Sequence, residues 1–149
     1  MLQRIQTVYL LIVAILMIVA MSLPVGNFIA ADMSLTEFTN LALVSAEGVK
    51  DYTPWAMFAV LIITAIITLV TIFLYKKRML QIRLTLFTSV LLIGYYVLLV
   101  LFIIKFKGEM SFAPSWSICI PIVCIVFNYL AIRGIGKDEM LVRAYDRLR

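Results

Sequence analysis

Four long stretches without a charged side chain constrain this chain more than any other feature of its sequence. They cover residues 5–31, 52–75, 84–104 and 110–132, and they are 27, 24, 21 and 23 residues long. A helix of about 20 apolar residues crosses the hydrocarbon core of a bilayer. Each stretch is therefore long enough to cross once and too short to cross twice. Helices are expected because lipid offers no hydrogen-bond partner to an open backbone.

The composition agrees with a membrane protein. Of the 149 residues, 64% are hydrophobic and 14% are charged, whereas about 25% of the residues in a soluble domain are charged. We predict an all-α fold, a polytopic four-transmembrane-helix bundle that forms a single membrane domain over residues 1–149. The first span is expected to be retained as a helix and not cleaved as a signal peptide. The predicted spans lie near residues 6–25, 54–75, 83–104 and 115–133.

The Lys and Arg residues predict the orientation of these spans. Ten of the 13 lie at the N-terminus, in the link between the second and third spans, or in the C-terminal tail, and three lie in the other two loops. The positive-inside rule therefore places both termini in the cytoplasm. Trp55 and Trp116 then fall at the outer ends of their spans, as aromatic residues of a membrane interface do.

The outer loop, residues 26–53, has two open interpretations. Ser34 and Glu37 have the spacing of a capping box, which predicts a helix from Leu35 to about Ala46. The alternative is a short hairpin on the membrane surface, because the segment is rich in Thr and Phe.

The tail, residues 134–149, is predicted to be a separate amphipathic cytoplasmic helix after Gly136. Leu141, Tyr145 and Leu148 share one face at helical spacing. Such a helix lies on the inner leaflet or packs against a partner protein, and the sequence leaves both alternatives open.

Uncharged polar residues occur within or beside the spans, and Thr7, Thr71, Thr88, Ser89 and Asn128 lie one to two turns from the cytoplasmic side. We predict that they face the interior and form hydrogen bonds between helices, with Asn128 at the centre. Asn128→Leu should then lower stability in detergent. The alternative is a polar vestibule for a small molecule. The predicted set is Thr7, Thr64, Thr68, Thr71, Thr88, Ser89 and Asn128.

Basic residues on the predicted cytoplasmic side are candidates for contact with a partner protein or with anionic lipid headgroups. The net charge of +5 does not indicate a nucleic-acid partner, because the basic residues sit in short flanks beside apolar stretches. The predicted contact residues are Arg4, Lys76, Lys77, Arg78, Arg83, Arg143 and Arg147.

The sequence offers no recognisable catalytic, cofactor-binding or metal-binding residue, so we expect no enzyme. Histidine is absent. Cys119 and Cys124 lie about 140° apart on a helix and do not form a zinc site. Apart from Arg83 and Arg133 at span ends, the predicted spans contain no Asp, Glu, Lys or Arg of the kind that transporters use to carry ions.

Three segments carry a resemblance to a known family. They are Gln3–Leu10, Tyr75–Arg83, and the close of the chain from Leu130 onward, which includes Lys137-Asp138-Glu139 and Leu141-Val142-Arg143. Together they resemble an uncharacterised Bacteroidota family of small four-helix inner-membrane proteins with a domain of unknown function. The resemblance implies a bacterial cytoplasmic membrane, and it supplies no activity and no binding residue.

Two functions fit these features. The first is a non-enzymatic accessory or scaffold subunit of a larger inner-membrane assembly, with other membrane protein subunits docked on its cytoplasmic face. The alternative is a small-molecule or lipid transporter or channel component that uses the uncharged polar groups inside the bundle.

Overall fold

A computed structural model describes residues 2–149 of the chain. Within this range 68% of the chain is helical, in four helices that are each long and apolar enough to cross a membrane. They are α1 (Leu2–Ser22), α2 (Trp55–Phe73), α3 (Arg78–Lys107) and α4 (Cys119–Arg147). α1 packs against α2 and α4, and α3 packs against the same two helices. The four helices indicate a membrane protein.

Each helix buries one stripe of side chains at spacings of three and four residues, the pattern of helices that cross at a small angle. The stripes on α2 and α3 are apolar near one end and polar near the other. On α3 the buried residues are Gln81, Thr85, Thr88, Leu92, Tyr95 and Leu99. On α2 they are Met57, Leu61, Thr64, Ala65, Thr68 and Thr71.

The expectation of an all-α chain is corrected by an antiparallel sheet. Within residues 2–149 its five strands have the order β4-β3-β2-β1-β5. They are β1 (Pro24–Ile29), β2 (Leu35–Thr39), β3 (Leu43–Val44), β4 (Lys50–Asp51) and β5 (Ser111–Pro114). β5 comes from the loop after α3 and pairs with β1, so the sheet joins both loops at one end of the helices. We call this end the sheet end.

The helix predicted from Leu35 to about Ala46 is wrong, and this segment begins with a strand. Ser34 does not act as a cap, since its hydroxyl donates to Asp32 Oδ1 at 2.7 Å. Phe38 is fully buried, with its ring centroid 5.6 Å from that of Phe28 and 6.4 Å from that of Phe112. Pairing with β1 lets this aromatic side chain pack while the backbone groups are satisfied in the sheet.

Two exposed aspartates stabilise turns at the sheet end. Asp32 Oδ1 accepts hydrogen bonds from the hydroxyl and the backbone N–H of Ser34. Asp51 Oδ1 accepts the same pair from Thr53, just before α2 begins. These hydrogen bonds favour the charged carboxylates and lower the pKa of both groups below the ordinary value.

Asn40, which is buried, fastens the sheet to the helices. Its Nδ2 donates to the carbonyl oxygen of Ala20 at 2.8 Å, and its Oδ1 accepts from the Tyr95 hydroxyl at 2.6 Å. In a longer α1 the Ala20 carbonyl would accept from residue 24, but Pro24 has no N–H to donate. Asn40 therefore satisfies the end of α1 from within the sheet.

The predicted separation of the tail at Gly136 is also wrong. α4 runs unbroken from Cys119 to Arg147, and both Gly134 and Gly136 are helical. The last polar segment of the chain is thus a continuation of the last apolar helix. It lies at the end opposite the sheet, together with the start of α1 and the link between α2 and α3. We call this end the basic end.

Candidate functional site at the basic end

Four of the predicted contact residues surround one pocket at the basic end. The pocket has a volume of about 640 Å³ and lies between the α2–α3 link, the first turns of α3 and the end of α4. We call it the basic pocket. Its lining residues are Lys76, Lys77, Arg78, Met79, Leu80, Arg83, Glu139 and Val142.

A tight link between α2 and α3 brings these cations together. α2 ends at Phe73, and the N–H of Lys77 donates to the carbonyl oxygen of Leu74 at 3.0 Å, which turns the chain back into α3. Gln81, which is buried, donates from Nε2 to the carbonyl oxygen of Thr71 at 3.2 Å. This carbonyl, in the last turn of α2, also accepts from the Leu74 N–H, and the added bond from α3 holds the two helices together at the pocket.

The third wall of the basic pocket is α4, held by contacts around Asp138. Asp138 is 7% exposed, and its Oδ2 accepts from Gln6 Nε2 at 2.7 Å. Arg78 Nη1 donates to the backbone carbonyl of Asp138 at 3.3 Å. A Cβ at Gly134 would lie 3.0 Å from Gln6 Cγ, so the glycine allows α1 this close to α4. Gln6 and Asp138 were not predicted as site residues.

The other predicted contact residues lie outside the basic pocket. Arg143 and Arg147 line a second depression of about 560 Å³ together with Met140, Ala144 and Leu148. Arg143 Nε is 3.1 Å from Glu139 Oε1, in an ion pair along α4. Arg4 is exposed near the start of α1. The predicted set therefore divides between the pocket, α4 and α1.

The polar residues predicted inside the bundle are mostly buried, but most of their bonds are not the expected ones. Thr64, Thr68 and Thr71 are at most 1% exposed, and each hydroxyl donates to the carbonyl four residues earlier in α2. Thr88 and Ser89 both donate to the Thr85 carbonyl within α3. A threonine hydroxyl on a helix can reach the carbonyl oxygen three or four residues earlier in the same helix. Hydrogen bonds within the helix therefore form in place of bonds between helices. Thr7 is half-buried.

Asn128 and Thr88, both members of that set, share a bond between helices. Asn128 Nδ2 donates to Thr88 Oγ1 at 3.3 Å, from α4 to α3. Asn128 is fully buried, and its Oδ1 has no hydrogen-bond partner among the described residues. A long bond and an unpaired buried oxygen add little stability, because desolvation of the oxygen opposes the gain. Asn128→Leu should therefore change the free energy of unfolding by less than about 1 kcal/mol.

Comparison with known proteins assigns the family. The family described as Domain of unknown function (DUF4293) matches residues 2–148. The chain belongs to this family. Comparison with curated proteins gives no match. Within residues 2–149 of this DUF4293 protein, no three His, Cys, Asp or Glu side chains are grouped so that they could hold a metal ion.

The contact between Gln6 and Asp138 gives a testable prediction for the DUF4293 protein. Gln6→Leu should lower the free energy of unfolding by about 1–3 kcal/mol, because it leaves the buried Asp138 carboxyl without its amide donor. The double variant Gln6→Leu/Asp138→Leu should recover most of this loss, since both polar groups are then removed. Unfolding in mild detergent measures both. Equal losses in the single and double variants would contradict the role given to this bond.

Proposed function

We propose that this protein is a non-enzymatic accessory or scaffold subunit of a larger assembly in the bacterial cytoplasmic membrane. In this proposal all four helices cross the bilayer and both termini lie in the cytoplasm. The excess of ten Lys and Arg residues at the basic end over three at the sheet end supports the orientation. The resemblance to a Bacteroidota inner-membrane family supports the compartment.

The observation that carries the proposal is the exposed end of α4. We call residues 139–149 the α4 extension. Every residue from Met140 onward is exposed, including Leu141 at 52%, Tyr145 at 75% and Leu148 at 87%. With 29 residues, α4 is about 44 Å long, which exceeds the hydrocarbon core of about 30 Å. The α4 extension therefore projects into the cytoplasm in the proposed orientation.

The α4 extension has the pattern of a docking helix. At 100° per residue, five of its six apolar residues, Met140, Leu141, Ala144, Tyr145 and Leu148, lie within an arc of about 140°, and Val142 lies outside this arc. The charged residues Glu139, Arg143 and Asp146 lie on the opposite side, and Arg147 lies at the edge of the apolar arc. An apolar face of this width fits a groove on another protein or the surface of the inner leaflet. Because the extension continues a spanning helix without a break, we favour the protein partner.

Purification in a mild detergent tests this proposal. The wild-type protein should be recovered with a stoichiometric partner subunit, whereas Leu141→Ser/Tyr145→Ser should lose that partner at least tenfold. The matched control is Met33→Ser/Val49→Ser, which removes two apolar residues of similar exposure, 82% and 63%, at the sheet end. The control should retain the partner. Recovery of the wild type only as a lone monomer would contradict the proposal, and so would equal losses in the two variants.

A specific observation favours a second candidate function, a small-molecule or lipid transporter or channel component. Asn128 has a fully buried amide whose Oδ1 has no hydrogen-bond partner among the described residues, near a half of the core that is rich in threonine. This function needs water to reach Asn128. In a Cys119→Ser/Cys124→Ala background, Asn128→Cys should react with a small water-soluble thiol reagent, while Leu92→Cys in the apolar half should not. Absence of reaction at position 128 would remove this candidate.

A further inference from the structure

The basic pocket carries a cluster of cations that the partner docking proposed for the α4 extension does not use. Lys76, Lys77 and Arg83 are exposed around it, and the fourth cation, Arg78, is half-buried. The carboxylate in the lining, Glu139, is engaged by Arg143 at 3.1 Å. The pocket thus concentrates positive charge that its own lining does not neutralise, which is the electrostatic requirement for an anion.

The pocket is organised by the fold. The link between α2 and α3 fixes the backbone of Lys76 and Lys77, and Arg83 follows in the second turn of α3. Arg78 is held toward α4 by its bond to the Asp138 carbonyl. The cations therefore come from a tight turn and from a helix, and their convergence does not require a flexible loop to order.

The position of the pocket along the helices indicates which kind of anion it could bind. The uncharged stretch that contains α2 ends at Tyr75, and the next one begins at Leu84 within α3, so the pocket lies where the chain leaves and re-enters the apolar region. Tyr75, beside the Lys76 ammonium at 5.9 Å from its ring, is typical of a membrane interface. Met79, Leu80 and Val142 add apolar surface to the lining. Cations beside apolar side chains at this depth match a lipid, with its phosphate and the start of its acyl chains.

We propose that the basic pocket binds the phosphate headgroup of an anionic phospholipid of the inner leaflet. Lys76, Lys77 and Arg83 supply the charge that meets the phosphate oxygens. This proposal depends on the membrane arrangement proposed above but not on partner docking. Loss of the partner in Leu141→Ser/Tyr145→Ser leaves the pocket intact, and loss of lipid binding leaves the α4 extension intact, so the two proposals fail separately.

Native mass spectrometry of the full-length protein, delipidated in a neutral detergent, tests the site. Phosphatidylglycerol should bind at least tenfold more tightly than phosphatidylcholine, and Lys76→Gln/Lys77→Gln/Arg83→Gln should abolish this preference. The control Arg133→Gln/Lys137→Gln/Arg149→Gln removes the same charge at the same end of the molecule, outside the pocket lining, and should retain the preference. The substituted side chains are exposed, and equal thermal unfolding midpoints without lipid verify that the variants fold.

Three results would overturn the proposal. The first is equal binding of the two lipids by the wild type. The second is an equal loss of preference in the pocket and control variants, which would assign the effect to surface charge in general. The third comes from a parallel titration with inorganic phosphate. If phosphate raised the thermal unfolding midpoint and phosphatidylglycerol did not, the pocket would be assigned to a soluble anion.

Discussion

Asn40→Leu should lower the free energy of unfolding by about 2–4 kcal/mol, because it leaves two buried polar groups without partners. The Tyr95 hydroxyl loses its acceptor, and the Ala20 carbonyl loses the donor that replaces the missing N–H of Pro24. Each orphaned group costs about 1–3 kcal/mol. Unfolding in mild detergent measures the loss. Amide hydrogen exchange should rise in β1 to β3 and change little around Gln81, because the sheet is released before the basic end.

Two controls make this prediction specific. Asn27→Leu introduces the same change on an exposed position of β1 and should alter stability by less than about 0.5 kcal/mol. Tyr95→Phe removes one hydroxyl, and the double variant with Asn40→Leu should lose less than the sum of the single losses, since the two residues share a bond. Strict additivity of the two substitutions, or an Asn40→Leu effect as small as that of Asn27→Leu, would show that the hydrogen bonds of Asn40 are not important for stability.

The four helices could be predicted from the sequence because the absence of charge over 21 to 27 residues reflects a physical length that the bilayer imposes. The sheet could not be predicted in the same way. Its strands have two to six residues, and β1 pairs with β5, which lies more than 80 residues later in the chain. Short local patterns do not contain such a pairing. The first uncharged stretch also contains β1, so the absence of charge, which predicts α1, does not distinguish this strand from the helix.

The cations of the basic pocket could be predicted from the sequence because they lie close together along the chain. Lys76, Lys77, Arg78 and Arg83 are close in sequence, and they do meet in one pocket. The wall formed by α4 depends on packing between the two ends of the chain, through Gln6 and Asp138. A signal existed, because Gln6 lies four residues before buried Leu10, and Asp138 three residues after buried Ile135. Continuing the helical spacing of the apolar residues into the polar ends of α1 and α4 predicts that both Gln6 and Asp138 face the interior.

Gly26→Ala should destabilise the sheet end by about 1–3 kcal/mol, the usual cost of forcing extra volume into a packed site. Gly26 lies in β1 between β2 and β5. A Cβ at this position would approach the Ala113 carbonyl oxygen to 2.7 Å and Phe112 Cζ to 2.7 Å. The backbone oxygen cannot move without breaking the β1–β5 pairing, and the ring cannot move without disturbing its contact with Phe28 at 5.1 Å.

Gly94→Ala is the matched control, and it should have the opposite sign. Gly94 is exposed in the interior of α3, and nothing lies within 4 Å of the position its Cβ would take. Alanine should therefore leave stability unchanged or raise it by up to about 1 kcal/mol through its greater helix propensity. Thermal unfolding compares the two variants, and hydrogen exchange of the β5 amides locates the damage in Gly26→Ala. If both substitutions shifted the unfolding midpoint in the same direction by the same amount, close packing of β1 against β5 would not explain the glycine.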